Sequence, residues 1–591
     1  MSHDTGFSHK EKVEPRLRNR RRGFLFGARE AKPRSGTMPF RLLAAFSVLV
    51  SIVSPAASQT APDAGSLQRE TTRTIPVQPT PPMPAPLTPM KPEDKGLQVR
   101  VNTFHFDLEC GDLLPKSDFR PFISDLIGKP VTLGQLEQAA RRVEAYYRSY
   151  GFLVRAYLPE QEIRHGTVRI VVIESRLGDM IVEKRGKRAD AELVKKMVGR
   201  SLKAGAPIPY FQLERGLLLA NDLPGLQATG ILEPGKRTGE TDLRISVEDR
   251  PLVDGEVAAN NDGFRATGGF QGAAGMNVNF GDGSRLGLNA LGSEGLRYAA
   301  VDYARPLGSD GWRFLLNASG LYYELGREFE ALDARGSAGS FGAGVRYPLI
   351  RSEKTNLYFD GDAVYRLYKD ESLGIVFRRK NVEALTLGMC ADWGNGSGSG
   401  RTQSCLAAVG GNLDLRGDDL AADQAGPQAA DAFFKVRGHA VRWQGLGRGF
   451  SLTTRLSGQW AGKNLDSSEK FALGGPYGVR AYPVNEAAGD TGLVATLELG
   501  EAFGNGLGAA VFFDHGEVWR AREPWPEAAQ PNHYGLSGAG FEINFLYSDA
   551  WSLRLSVAHP VGGNNGSADP DKNQDGSRRG TRGWAGSVIR F

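Results

Sequence analysis

Three cysteines and eight histidines in 591 residues leave little for a disulfide scaffold or a metal-dependent enzyme to be built from. The histidines are mostly isolated and carry no ligand spacing. The chain has no His-Glu-x-x-His, no Gly-x-Ser-x-Gly elbow and no phosphate-binding glycine loop. No catalytic constellation emerges, so neither an enzyme nor a cofactor is expected. Beyond the N-terminal region no apolar run reaches the roughly 18 residues that a membrane-spanning helix needs. Excess basic charge is equally missing from most of the chain. Residues 1–41 hold eleven Lys/Arg against four Asp/Glu, an excess of seven, which leaves the remainder near −2 although the whole chain is +5. The balance is no signal for nucleic acid.

What the chain has is glycine, 76 residues of it, and aromatics set on short alternating runs. That composition fits a membrane β-barrel, in which only every second residue of a strand faces lipid. Strand and turn alternate from about Leu252 to Phe591. Trp551, Leu553, Leu555 and Val557 alternate with Ser552, Arg554 and Ser556, lipid-facing against lumen-facing. Short turns stand near 281–284, 307–311, 445–449, 504–506 and 547–550, the first four containing glycine. Longer polar loops separate them at 326–339, 369–380, 417–432, 464–491, 520–532 and 562–580. About sixteen strands are expected, with short turns at one end and long loops at the other. The chain ends on an aromatic strand, Ser587-Val-Ile-Arg-Phe591.

One loop is unlike the rest: Leu473-Gly-Gly-Pro-Tyr-Gly-Val-Arg-Ala-Tyr-Pro-Val-Asn-Glu-Ala-Ala-Gly-Asp490. Glycine and proline at this density exclude helix and regular strand, and Tyr477 and Tyr482 flank a single arginine, Arg480. So much specified shape suits a loop that folds into a cavity. Val479-Arg480-Ala481-Tyr482 resembles the Val-Arg-Gly-Tyr motif of two-partner-secretion (TpsB) transporters, the ShlB-FhaC-HecB haemolysin secretion/activation family of POTRA-plus-barrel outer-membrane proteins. A second signature of that family, F-x-D-x-G on the strand that receives the loop, stands at Phe512, Asp514 and Gly516. The departure is Ala481 for glycine, which would be strained if this position required positive φ. Alternation puts Phe512, Asp514 and Gly516 on one strand face, so Arg480 is expected to pair with Asp514 inside the lumen, with Tyr482 as its cover.

The rest of the chain is then ordered as follows. Residues 1–58 comprise an extension and a signal peptide whose apolar core is 42–53. Residues 59–96 hold a short polar helix at Asp63–Arg73, with little apolar surface and Asp63 as N-cap, followed by a proline-rich spacer. The resemblance implies that this helix plugs the pore; a disordered mature N-terminus fits the residues equally. Residues 97–177 and 178–251 each read as an α+β module, with helices over Leu136–Tyr147, near 191–198 and over 212–221. The Tyr147-Arg-Ser-Tyr-Gly151 helix ending resembles a first POTRA domain, and the second module a second. The expected fold is therefore mainly β: two POTRA domains before a transmembrane antiparallel barrel at 252–591.

Two local features remain. Cys390 and Cys405 lie at equal distance from the centre of a glycine-serine turn, opposite each other across a hairpin. Bonded and free-thiol states both fit the sequence, and Cys110 is left unpaired in the first module. Asp571, Asn573 and Asp575 match the first half of a calcium loop, but Arg582 stands where a bidentate Glu is needed, so a solvated turn is expected.

The resemblance implies outward passage of an unfolded TpsA-type exoprotein through an outer-membrane barrel whose POTRA domains lie in the periplasm. The neighbours of such a protein would be this client, outer-membrane lipid and, during biogenesis, the barrel-assembly machinery, which would read Phe591. A barrel-assembly insertase of the same superfamily and a passive porin are the rival readings.

Overall fold

The structure, a computed structural model, describes residues 61–74, 98–109, 113–114, 119–237, 239–394 and 399–591. The signal peptide, the proline-rich spacer and Cys110 lie outside these residues.

Two α+β modules precede the barrel. In the first, Thr103–Glu109 pairs in parallel with Thr167–Glu174, which pairs antiparallel with Val154–Tyr157. Leu133–Ser149 covers this sheet. Thr132 starts the helix with a capping box to Gln135, and Leu136, Ala139, Ala140, Val143 and Tyr147 recur on one buried face. Gly151, at φ +86°, turns the chain out of the helix. The second module repeats the arrangement: Arg176–Lys184 pairs in parallel with Glu240–Asp249, which pairs antiparallel with Leu226–Pro234, beside helices Ala191–Gly199 and Tyr210–Asn221. The modules are joined by main chain: Leu153 N–H donates to the Ile208 carbonyl at 3.2 Å, and Tyr210 N–H to that of Gly151 at 2.8 Å.

Sixteen strands from Val253–Asn260 to Arg582–Arg590 pair with their sequence neighbours, and the last pairs with the first, closing a barrel. Phe591 extends this seam: its N–H and carbonyl both bond Gly255 at 3.0 Å, and its ring is exposed. Alternation follows the pleat. Leu493, Leu497 and Leu499 are exposed on the outer face, whereas Val494, Thr496 and Glu498 are buried on the inner one. The second module rests on the turns at one barrel end. Arg351 grips the Asp222 carboxylate with two hydrogen bonds of 2.8 and 2.7 Å, and Asp190 N–H donates to the Gly281 carbonyl at 2.8 Å.

Three expectations need correction. Residues 369–380 are not a loop: strand Thr355–Ser372 turns through Leu373-Gly374 into Ile375–Gly394. The charged run that reads as loop is paired within the sheet, Glu371 taking Arg335 of the neighbouring strand at 3.1 Å and Lys369 of its own strand. Loops at the far end are not uniformly long, since Ser293–Gly295 is also a tight turn there. Finally, 417–432 contains a helix, Asp418–Ala425.

Candidate functional site

The segment between strands Phe450–Ala461 and Thr491–Gly504 folds back into the barrel. It holds its own shape through main-chain bonds: Val479 N–H to the Leu473 carbonyl at 2.7 Å, Gly475 N–H to that of Tyr482 at 3.1 Å, and Tyr482 N–H to that of Val479 at 3.1 Å. Val479, Ala481 and Tyr482 are fully buried, packed with Leu473, Phe512, Tyr534 and Leu536. Tyr477 is not part of this packing. It is half-exposed, with its hydroxyl 3.5 Å from Asp262 and its ring 5.3 Å from the Arg554 guanidinium.

Arg480 presents its planar fork to Asp514, with Nε to Oδ2 and Nη2 to Oδ1 both at 2.9 Å. Asp514 has no exposed side-chain surface. Its remaining acceptor capacity is used by the Thr496 hydroxyl at 2.8 Å and the Arg480 main-chain N–H at 3.1 Å. The guanidinium also lies 3.2 Å from the centre of the Phe512 ring, a cation–π contact. Its Nη1 reaches Glu498 at 3.2 Å and Glu542 at 3.3 Å, while Trp584 donates its indole N–H to the Arg480 carbonyl at 2.7 Å. Thus the motif residues of the loop and of strand Leu507–Trp519 meet. Glu498, Glu542, Thr496 and Trp584 lie on other strands and carry no local signal that would have named them.

Two glycines make the approach possible. A Cβ on Gly516 would stand 3.1 Å from Leu473 Cδ2, and one on Gly538 would stand 2.6 Å from the Ala481 Cβ. Ala481 is not among the residues at positive φ, so its methyl is unstrained here and Gly538 supplies the space for it.

Towards the end opposite the modules, Glu486 is buried against the last loop. It accepts from Asn564 Nδ2 at 2.7 Å and from Gln574 N–H at 2.9 Å. Burial pushes its carboxyl up to about 7 despite these two bonds. The loop's base is pinned to the wall: Glu469 meets Lys435 at 2.8 Å and also Arg366.

A second segment occupies the lumen. Helix Ala64–Thr74 is capped by Asp63, whose Oδ1 accepts the Ser66 N–H at 2.9 Å. Contrary to the expectation of a helix without a packing face, Ala64 and Leu67 are fully buried in a cluster with the wall residues Leu291 and Val382 and with Phe264 of the first far-end loop. The capped end of the helix is held by charge. Asp63 bonds Lys380 Nζ at 2.9 Å, and Asp370 accepts the Ala64 N–H at 2.9 Å.

Cys390 and Cys405 are register partners and are joined by a disulfide, their Cα atoms 4.1 Å apart. Asp571, Asn573 and Asp575 sit in the last loop without converging. Asp575 accepts from Ser577 N–H at 2.9 Å, Asn573 donates to Ser577 Oγ at 3.0 Å, and Asp571 bonds Arg579 through its carbonyl. Among the described residues no group of three His, Cys, Asp or Glu could hold a metal.

A closed barrel of this topology, with α+β modules at one end and a shaped loop and a helix inside, is the architecture of an outer-membrane transporter. Residues 101–175 match the POTRA domain, ShlB-type, and residues 239–545 match the haemolysin secretion/activation protein ShlB/FhaC/HecB. The chain belongs to that family of two-partner-secretion transporters, with its POTRA region in the periplasm. It is 28% identical over 462 residues to the heme/hemopexin transporter protein HuxB of Haemophilus influenzae, covering 76% of this chain and 81% of that one. A shorter match, 24% over 157 residues, is to the outer membrane transporter CdiB of Dickeya dadantii, covering 26% and 27%. Among solved structures, CdiB from Escherichia coli shares the fold with a TM-score of 0.60 at 17% identity, over 89% of this chain and 95% of that one. The family is one of transporters rather than enzymes.

Proposed function

We propose that the chain captures an unfolded exoprotein of the haemolysin or adhesin type in the periplasm through its POTRA modules and passes it through the barrel to the cell surface. The observation that carries this reading is the double obstruction of the lumen. A helix and an inward loop are each held by buried charge pairs to the wall, an arrangement that a passive porin has no use for. In this reading Arg480, held by Asp514, keeps the loop in a resting position, and Val479, Ala481 and Tyr482 exclude water from the pair. Helix Ala64–Thr74 is a removable plug: it packs into the apolar cluster through Ala64 and Leu67 alone, and its cap is held by Lys380 and Arg378, charges that water can take over when the lumen floods. The test is deletion of residues 62–74. Channel conductance in planar bilayers is expected to rise while exoprotein secretion stays largely intact. Unchanged conductance would refute the plug.

A further inference from the structure

Plug and loop share one buried cation. Lys380 enters the lumen from strand Ile375–Gly394 with no exposed side-chain surface. Its ammonium has three donors, and three acceptors receive them: Asp63 Oδ2 at 2.9 Å, Asp466 Oδ2 at 2.9 Å and Ser467 Oγ at 3.0 Å. Asp63 caps the helix, whereas Asp466 and Ser467 belong to the inward loop. A second link lies six residues along the helix. The Arg69 guanidinium bonds the Ser467 carbonyl and the side-chain oxygen of Asn485. Asn485 stands in the left-handed region at φ +66°, five positions after Arg480. The helix therefore touches the loop on both sides of the Arg480 turn, and Gly65 lies so close to Ser468 that a Cβ on it would stand 2.8 Å from the Ser468 Cβ.

We propose that Lys380 is a positioning residue that makes plug departure and loop release one cooperative step. The inference rests on reading the helix as a plug, and it adds the residue that transmits its departure to the loop. When the helix leaves, Asp63 goes with it, and Lys380 keeps one carboxylate where it had two. Arg378, 3.3 Å from Asp63, loses the same partner. Ser467 and Asn485 lose Arg69 at the same moment. Conversely, a loop that moves away takes Asp466 from Lys380 and weakens the site that holds the helix cap. Asp466 bonds Lys380, Ser467 and Ser468, all outside the helix, and acts on the plug directly by repelling the Asp63 carboxylate, a repulsion whose loss favours the seated helix, so an opening caused by Asp466→Asn must pass through the shared cation or the loop.

The experiment uses the full chain in planar bilayers and reads the fraction of time each channel spends at the open conductance level. The variants are Asp63→Asn, Asp466→Asn, the two combined, Lys380→Met and Lys380→Gln, with deletion of residues 62–74 alongside. Heat-modifiable migration shows that each barrel is folded, and the two Lys380 variants back each other in that control. Losing one partner of a buried charge should raise the open fraction at least about tenfold in each single variant. The double variant should open no further than the larger single, because both remove support from one cation. An Asp466→Asn channel that stays closed like the wild type overturns the coupling, as do single effects that multiply in the double. If the deletion itself leaves conductance unchanged, the plug reading fails and the coupling with it. If the deletion opens the channel and Asp466→Asn does not, only the coupling fails.

Discussion

Replacing Arg480 by alanine would leave Asp514, Glu498 and Glu542 facing one another with, among the described residues, Arg455 at 3.0 Å from Glu498 as the remaining ion-pair partner. Replacing Asp514 instead leaves Arg480 with two carboxylates still in reach. The two losses are therefore unequal. Breaking a buried pair from one side costs about 3–5 kcal/mol, and Arg480→Ala should lie at the upper end of that range and Asp514→Ala below it. The double variant should be no worse than Arg480→Ala, since the orphaned charge goes too. Arg480→Lys should be partly tolerated, because an ammonium lacks the flat fork that grips both Asp514 oxygens and stacks on Phe512. Exoprotein secretion, with barrel level followed by heat modifiability, checks all four, and wild-type secretion from either single variant would count against the pair. Glu486 gives a second residue-scale expectation. Its buried carboxyl is raised from 4.5 to about 7, so the folded state holds a proton that the unfolded state releases. The stabilisation is full below the unfolded value and is lost as pH rises towards and through 7. Thermal unfolding in detergent should show a midpoint that falls from pH 5 to pH 8, and Glu486→Gln should flatten that slope. At this scale the sequence carried the partners that lie on one strand face, because a period of two needs no tertiary information. Glu498, Glu542 and Trp584 were invisible, since which strands converge on a loop depends on barrel closure.

At the level of elements, hydrophobic pattern was a good guide to strands and a poor one to what fills a wet lumen. The helix Ala64–Thr74 has Ala64 and Leu67 as its apolar contacts, too few to read as a packing face, yet its cap is held by Lys380, Ser467 and Arg378. Those partners lie hundreds of residues away. Residues 369–380 misled in the opposite sense, for charge suggested a loop where cross-strand pairing sustains a strand. The Cys390–Cys405 register was legible, because a hairpin fixes which residues face each other once its centre is known. Joined sulfurs make a definite expectation: non-reducing peptide mapping of the purified barrel should recover the two cysteines as one linked fragment, separable by reductant. Separate fragments without reductant would show that the hairpin is held by its backbone bonds alone.

On the scale of the whole molecule, the repeated order of strands and helices in the two α+β units was readable, whereas the joints between units were not. The structure places one joint at residues 151–153 and 208–210, where main-chain bonds tie the two modules, and another where Asp222 and Asp190 meet the barrel turns. The second joint needs nothing from the first module. Asp222, Gly225 and the helix start at Asp190 all belong to residues 178–251, and their partners Arg351, Phe280 and Gly281 belong to the barrel. Removing residues 97–175, which stops short of strand Arg176–Lys184, should therefore expose Ile208 and Tyr210 but leave the second module seated and the sixteen-strand ladder intact. If the first module is where the exoprotein is captured, that deletion should abolish export while a heat-modifiable barrel remains in the outer membrane at close to the wild-type level. Arg351→Ala serves as the contrasting variant. It loosens the seat of both modules without removing a binding surface, so export should fall only several-fold, in line with loss of a partly exposed ion pair worth about 1 kcal/mol. Export that survives the deletion, with the barrel level unchanged, would place capture in the second module or in the barrel mouth instead.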